Sequence, residues 1–135
     1  MSTGRYELSL RVFHPREEPG VLTSIFERRP QTAWARGTAR LGPDGGRLPG
    51  EHDTTYWTAH VGSGEIRDLA GALGGLATDL AGRRADIERL VDGGGRVECL
   101  VGWFEDGNSA VELPHELLHE LGDIGVDLAL DVYGA

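Results

Sequence analysis

The sequence predicts an α+β protein with a mostly antiparallel five-stranded sheet and helices packed chiefly on one face. Two kinds of segment predict it. Some alternate apolar and polar residues, as half-buried strands do, and others repeat leucines every three or four residues, as amphipathic helices do. The order of elements, β-α-β-β-α-β-α-β, begins with a ferredoxin-like β-α-β-β-α-β core and adds an extra α-β. With 135 residues, the chain is expected to form a single domain over residues 1–135.

The first half of the chain predicts a strand, a short helix and a hairpin. Residues 5–13 alternate in polarity and predict a half-buried strand. Pro19 is suited to open a helix that ends by Pro30. The aromatic and β-branched residues of 31–41 and 53–61 predict two more strands. The Gly- and Pro-rich segment between them is expected to be a long, mobile loop.

The second half predicts helices that alternate with strands. Leucine spacing from Glu65 to Leu80 predicts an amphipathic helix, with Ser63 as its N-cap. Four further elements follow from their hydrophobic patterns: a short helix at 85–91, a central strand at 96–105 that ends in a turn at 106–108, a helix at 113–122, and a closing strand at 126–133.

The charge balance restricts the class of partner. The chain has 22 acidic and 13 basic residues, for a formal net charge of −9. This charge argues against nucleic acid or an anionic membrane as partner and favours a basic protein. No apolar run is long enough to span a membrane, the N-terminus lacks a signal-peptide core, and the lone Cys99 excludes an internal disulfide. All 13 residues of the Lys and Arg type are arginine, as in GC-rich genomes, which suggests a bacterial protein. A cytoplasmic location is expected because no signal peptide or membrane span is recognised.

The segment HELLH, from His115 to His119, matches the zinc-peptidase signature HExxH. Such a site needs a third ligand, and the longer metzincin pattern would place it at Gly125, which has no side chain. A helical wheel gathers the apolar residues on one stripe: Leu113, Leu117, Leu118, Leu121 and Ile124. The two histidines fall on the opposite, solvent-facing side. A zinc peptidase is therefore disfavoured, and His115 and His119 remain candidates for adventitious metal binding only.

Carboxylates on two strands are candidates for acid–base chemistry. Asp127 and Asp131 share one side of the last strand, and Glu105 and Asp106 end another. Paired carboxylates can exchange protons or bind a hard cation. However, water-facing strand positions are usually polar, and Arg5 or Arg11 is a natural cross-strand partner for the aspartates. Cys99 lacks an activating neighbour and is interpreted as a packed thiol. No catalytic residue, metal or cofactor is predicted.

Aromatic residues supply the remaining candidates. If Trp34 and Tyr56 face the same open side of the hairpin, they form an exposed apolar patch of the kind found at recognition surfaces. The candidate binding residues are two aromatics and four carboxylates: Trp34, Tyr56, Glu105, Asp106, Asp127 and Asp131.

A known family shares this arrangement of motifs. The characteristic segments are, in order, YELSLRVF, RRPQTAWARGTAR, TTYWTAHV, VECLVGWF and ELLHELGDIGVDLALDVYG. Through them the chain resembles DUF 4279, a bacterial family of small domains of unknown function, most tellingly over Pro30–Gly37 and Leu121–Tyr133. The resemblance spans nearly the whole chain. It implies the fold, carries over no catalytic residue, and implies that HELLH lies in the family's ordinary C-terminal helix.

The sequence favours a non-catalytic protein-binding function. The most specific hypothesis is a bacterial immunity or inhibitor protein whose acidic surface docks a basic partner. The alternative is a small-molecule-binding or enzymatic domain with a cleft near the aromatic hairpin. Since an edge strand can pair with another copy, both a monomer and a homodimer remain open.

Overall fold

The computed structural model describes residues 4–134. Within that range the elements are, in order, β1 (Arg5–His14), α1 (Pro19–Phe26), β2 (Thr32–Trp34), β3 (Ala39–Leu41), β4 (Arg47–Glu51), β5 (Thr55–Glu65), a 3-10 turn (Ile66–Asp68), α2 (Leu69–Ala81), α3 (Arg84–Asp92), β6 (Arg96–Glu105), α4 (His115–Asp123) and β7 (Val126–Gly134). The predicted α+β class and the five-stranded sheet are confirmed. No helix of the described residues is long and apolar enough to span a membrane.

The main sheet has the strand order β2-β5-β1-β6-β7. Its first three neighbouring pairs are antiparallel, and the last pair, β6 with β7, is parallel. A parallel pair needs a crossover between its strands, and the segment that contains α4 supplies it. The sheet is therefore mixed, and β6 has the central position that its apolar sequence predicts.

One face of the sheet carries the hydrophobic core. Alternate side chains of the three central strands are fully buried: Leu8, Leu10, Val12, Trp57, Ala59, Val97, Cys99 and Val101. They form one cluster with the buried apolar residues of all four helices. The four helices consequently cover this face, where they remove its apolar surface from water.

The opposite face is covered by no helix of the described chain and is called the open face. The pairing of the strands brings alternate residues of all five strands onto it. They include, from β2 to β7, Trp34, Tyr56, Thr58, His60, Phe13, Arg11, Ser9, Arg96, Glu98, Leu100, Phe104, Asp127, Ala129, Asp131 and Tyr133.

The prediction of a long loop between the two hairpin strands is wrong. This segment forms a second, two-stranded sheet in which β3 pairs with β4. Two backbone hydrogen bonds close its turn, since the amide of Gly42 donates to the carbonyl of Gly46 and that of Gly45 donates back to Gly42. The carboxylate of Asp44 also accepts a hydrogen bond from the Gly46 amide, at 2.9 Å. Asp44 and the glycines of this segment are residues that favour an Asx-type turn, and they also give the segment the composition of a loop.

The predicted strand over residues 31–41 is in fact two strands, β2 and β3. A turn separates them, in which the Thr38 hydroxyl donates to the carbonyl of Ala35 at 2.6 Å. Gly37 adopts a φ of +83°, in the left-handed region that favours glycine. The hydrogen bond of Thr38 and the backbone conformation of Gly37 therefore explain why the strand is interrupted. The aromatic and β-branched composition of the segment does not indicate this turn.

The start of α2 also differs from the prediction. Ser63 is not an N-cap but a strand residue, because β5 continues its pairing with β1 as far as Glu65. A 3-10 turn follows, and Asp68 occupies the N-cap position. The predicted leucine stripe of this helix is nevertheless confirmed, since its members are buried: Leu69, Leu73, Leu76, Ala77 and Leu80.

Candidate functional site

Aromatic side chains form a continuous row at one end of the open face. Pairing of β2 with β5 sets Trp34 opposite Tyr56, and their rings stack with centroids 4.6 Å apart. His52 stacks on the other side of Trp34 at 4.2 Å, and Phe13 lies 5.1 Å from Tyr56. We call these four residues the aromatic row. The structure thus places the predicted pair Trp34 and Tyr56 on the same side.

Hydrogen bonds hold the aromatic row in place. The indole N–H of Trp34 donates to the carbonyl of Thr54 at 3.1 Å. The buried hydroxyl of Thr55 accepts from the backbone amide of Arg36 at 3.0 Å, just beyond β2. Because the short edge strand is fixed at this end, the rings are organised before any ligand arrives.

Two arginines extend the row toward the centre of the sheet. The guanidinium carbons of Arg11 and Arg96 lie 5.2 and 4.5 Å from the centroid of Phe13. Both arginines also contact Glu98, whose carboxylate lies 2.7 Å from Nε of Arg11 and 3.7 Å from Arg96. The side chain of Glu98 is only 7% exposed. This charge cluster was missed from the sequence, although Arg11 and Glu98 occupy the polar side of their alternating strands.

The far edge of the open face is acidic. In the register of β6 with β7, Asp127 lies beside Glu98, and Asp131 lies beside Gly102. Within residues 4–134, Asp127 makes no ion pair. Asp131 accepts a hydrogen bond from the Tyr133 hydroxyl at 2.6 Å, which raises the pKa of Tyr133. β7 contains no basic residue. The predicted cross-strand pairing of its aspartates with Arg5 or Arg11 is wrong, because β6 lies between β1 and β7.

The other two predicted carboxylates lie at the end of β6. Glu105 and Asp106 line a shallow cleft of about 310 Å³ with Arg5 and the stacked rings of Phe104 and Tyr133. The two aspartates of β7 share the open face with Trp34 and Tyr56, whereas Glu105 and Asp106 lie at its corner. Trp34 and Tyr56 belong to the opposite edge of the sheet from the carboxylates.

The HELLH segment turns its histidines to solvent, as predicted. His115 and His119 are exposed, and Leu117 and Leu121 are buried. Leu118 is exposed, so its assignment to the buried stripe is wrong; it lies about 100° around the helix from Leu117. Among the described residues, no group of three or more His, Cys, Asp or Glu side chains is arranged to hold a metal ion.

The thiol of Cys99 is packed inside the core. It is fully buried on the helix-covered face of β6. Burial raises its pKa to about 12, because a thiolate is poorly stabilised away from water. At neutral pH the side chain is therefore a thiol.

Two further clefts lie on the described residues, one beside the aromatic row and one on the helix-covered side of the sheet. The one that lies beside the aromatic row has a volume of about 370 Å³ and is lined by Arg36, Gly37, Glu51, His52 and Asp53. The alternative of a ligand cleft near the aromatic hairpin stays a prediction.

The second cleft, of about 430 Å³, lies between α1 and α3 around His14 and was not predicted. His14 is buried, and its Nδ1 accepts hydrogen bonds from the amides of Arg16 and Glu17 at 3.0 and 2.9 Å. These bonds fix the turn after β1 and require Nδ1 to be unprotonated. The signal in the sequence is that His14 continues the buried alternation of β1 before Pro15.

We expect the protein to lose stability in mild acid because of His14. Burial lowers the pKa of His14 below its usual 6.5, opposed by Glu17 and assisted by Arg16. Between the lowered pKa and pH 6.5, the imidazole of His14 is protonated in the unfolded chain but not in the folded chain. The contribution of neutral His14 to the free energy of unfolding is therefore complete above pH 6.5 and is lost as the pH falls toward the lowered pKa. Urea unfolding at about pH 7.5 and about pH 5 measures the loss.

The matched variant is His14→Asn, whose side-chain oxygen still accepts near the position of Nδ1 but cannot titrate. It should lose less stability than the wild type between the two pH values, and His119→Asn, on the exposed helix face, should behave like the wild type. An equal loss in His14→Asn and the wild type would assign the acid sensitivity to other groups.

Comparison with known proteins finds one family. The family described as "Domain of unknown function (DUF4279)" matches residues 4–135. No curated protein matches the chain. No solved structure matches it either.

Proposed function

This chain belongs to the DUF4279 family of domains of unknown function, and we propose that it is a non-catalytic binding domain that docks a basic protein on its open face. In its most specific form, the proposal is a bacterial immunity or inhibitor protein. One observation carries it. The open face holds a preorganised aromatic row at one edge and uncompensated carboxylate at the other, and no helix of the described chain covers it.

The size of the open face suits a protein partner. Its five strands have 10, 3, 11, 10 and 9 residues. At about 3.3 Å per residue and about 4.8 Å between strands, they give an area of roughly 700 Å². A stable protein interface buries about 800 Å² on each side. The open face therefore provides most of one standard interface, and its borders can supply the rest.

The aromatic row has the chemistry of an interface anchor. Tryptophan, tyrosine and arginine are the residues that most often dominate binding energy, and the row together with its two neighbouring arginines contains all three types. Stacking and the hydrogen bond of Trp34 already restrict these side chains, which lowers the entropic cost of binding. Lysine or arginine of a partner would bind favourably over the exposed parts of the rings.

Charge supports a basic partner. The net charge of −9 attracts a positively charged protein over long range and accelerates its encounter. The carboxylate of Asp127, which has no ion-pair partner within residues 4–134, offers a local contact. The non-catalytic form of the proposal is supported by the buried thiol of Cys99 and the solvent-facing HELLH histidines.

We also propose that β1, α1, β2, β5, α2 and β6 correspond to a ferredoxin-like unit to which α4 and β7 are added. The strand order β2-β5-β1-β6 and the antiparallel direction of each neighbouring pair support this assignment. The unit would present the open face as the uncovered side of its sheet.

The test is a pull-down from the lysate of the source organism, followed by identification of the captured protein and calorimetry on the purified pair. We expect a partner with an isoelectric point above 7 and an affinity that falls as salt rises. Trp34→Ala should weaken binding at least about tenfold, because it removes the central ring of the row.

The matched control is Leu118→Ala, which removes an exposed apolar side chain from α4, on the other side of the molecule. It should leave the affinity unchanged. A partner that is acidic, or a complex weakened by Leu118→Ala and indifferent to Trp34→Ala, contradicts the proposed surface. Failure to form any binary complex contradicts the function.

A further inference from the structure

β7 is an edge strand of the main sheet, and its second half is exposed. Among the strands that residues 4–134 form, it pairs only with β6, and its outer side is unpaired. It is nine residues long, and its last part is strongly exposed: Leu130 by 52%, Val132 by 65% and Tyr133 by 49%. An unpaired edge offers a row of backbone N–H and C=O groups to another strand.

The two faces of β7 differ in chemistry. Asp127 and Asp131 lie on the open face, beside Glu98 and Gly102 of β6. Leu130 and Val132 point to the helix-covered side, beside Val101 and Trp103. The open-face side of β7 therefore carries two carboxylates with Ala129 between them, and its other side is apolar.

The helix layer covers only the start of this strand. Val126 is buried at the end of α4, and Leu128 is partly buried against the core. Farther along, Leu130 and Val132 stand beyond the cover of α4 and are exposed. The edge thus combines unpaired backbone groups with uncovered apolar side chains.

We propose that β7 is a strand-addition site for an extended segment in which basic and apolar residues alternate. Its basic side chains would lie on the open face beside Asp127 and Asp131, and its apolar side chains would pack beside Leu130 and Val132. Backbone hydrogen bonds to β7 would provide affinity, and the alternation would provide specificity. This inference rests on the proposed function and specifies how the basic partner docks.

Charge disfavours a second copy of the chain as the occupant. In an antiparallel pairing centred on Ala129, Asp127 would face Asp131 of the second copy. In a pairing centred on Leu130, the two Asp131 side chains would be diagonal neighbours at about 7 Å. Each copy also carries a net charge of −9. Like charges so placed oppose self-pairing, whereas they attract a basic strand.

The experiment uses a fluorescent peptide as long as β7 that alternates lysine and valine. A second peptide has the same composition but groups all lysines before all valines. Fluorescence anisotropy gives both affinities, and NMR of the labelled protein maps the changed amides. We expect the alternating peptide to bind at least about tenfold tighter and to shift the amides of β7.

Neutralising variants test the charge requirement. The double variant Asp127→Asn, Asp131→Asn should weaken the alternating peptide about tenfold. A matched control, Glu112→Gln with Glu116→Gln, removes the same amount of charge from exposed positions before and at the start of α4. It should change the affinity much less. Circular dichroism of each variant confirms that the fold is retained.

Several outcomes would overturn the strand-addition site. Equal affinity for the two peptides would show simple charge attraction, and shifts outside β7 would place binding elsewhere. A dimer formed through β7 in analytical ultracentrifugation would make a second copy the occupant. If the peptide fails while a basic partner still depends on Trp34, only this inference falls; if no basic partner forms a complex, the proposed function falls as well.

Discussion

Replacing Trp57 with alanine is expected to lower the free energy of unfolding by about 3–5 kcal/mol. Trp57 is fully buried on β5, and its ring lies 5.6 Å from that of Phe26 in α1. Its indole N–H donates to the hydroxyl of Thr23 at 3.1 Å. The substitution leaves a large cavity between sheet and helix and removes the donor for Thr23. Urea unfolding followed by circular dichroism measures the change.

Two other tryptophan substitutions separate the contributions. Trp57→Phe keeps most of the apolar volume but loses the hydrogen bond to Thr23, so it should cost clearly less than the alanine variant. Trp34→Ala affects only the half-buried aromatic row on the open face and should cost about 1 kcal/mol. If Trp34→Ala and Trp57→Ala destabilised the protein equally, the assignment of one face to the core would be incorrect.

Replacing Arg11 with alanine is expected to destabilise the protein by about 3 kcal/mol. The variant leaves the carboxylate of Glu98 nearly buried without its closest partner, which lies 2.7 Å away in the wild type. Arg96, at 3.7 Å, compensates in part. The side chain of Arg11 is 25% exposed, so water screens the pair. The expected loss of stability is therefore at the lower end of the range for buried ion pairs. Chemical denaturation at constant pH gives the value.

A double-mutant cycle distinguishes an unpaired charge from lost packing. Adding Glu98→Gln to Arg11→Ala should restore part of the stability, because the variant no longer buries an uncompensated carboxylate. Arg5→Ala, at the exposed start of the same strand, serves as the control and should change stability by less than about 0.5 kcal/mol. Additive effects of Arg11→Ala and Glu98→Gln would mean that the pair contributes no coupling.

The strands and helices were predictable where one periodic pattern dominates. Leu8, Leu10 and Val12 alternate with polar residues, and α2 repeats leucine at helical spacing, so burial on one side follows from the sequence. The β3–β4 hairpin was not predictable in the same way. Its turn depends on Asp44 and a few backbone hydrogen bonds. The Gly- and Pro-rich composition of the segment predicts only a flexible loop.

The sequence predicts some of the residues of the candidate site, but it does not predict how their side chains are arranged. Trp34 and Tyr56 stood out as aromatics on strands, but their stacking depends on the register of β2 with β5. The contact of Arg11 with Glu98 joins residues 87 positions apart and needs the order of the sheet. Leu118 shows the converse limit, since a wheel drawn for an isolated helix assigns too broad a buried stripe.

The sheet places the hydrophobic core and the proposed binding surface on opposite faces. The hydrophobic core lies on one side of it, and the aromatic row and the carboxylates of β7 lie on the other. Substitutions on the uncovered side should therefore alter the proposed binding surface while the core is retained. Arg11 and Glu98 are the exception, because they lie on the uncovered side and their nearly buried ion pair is expected to contribute to stability.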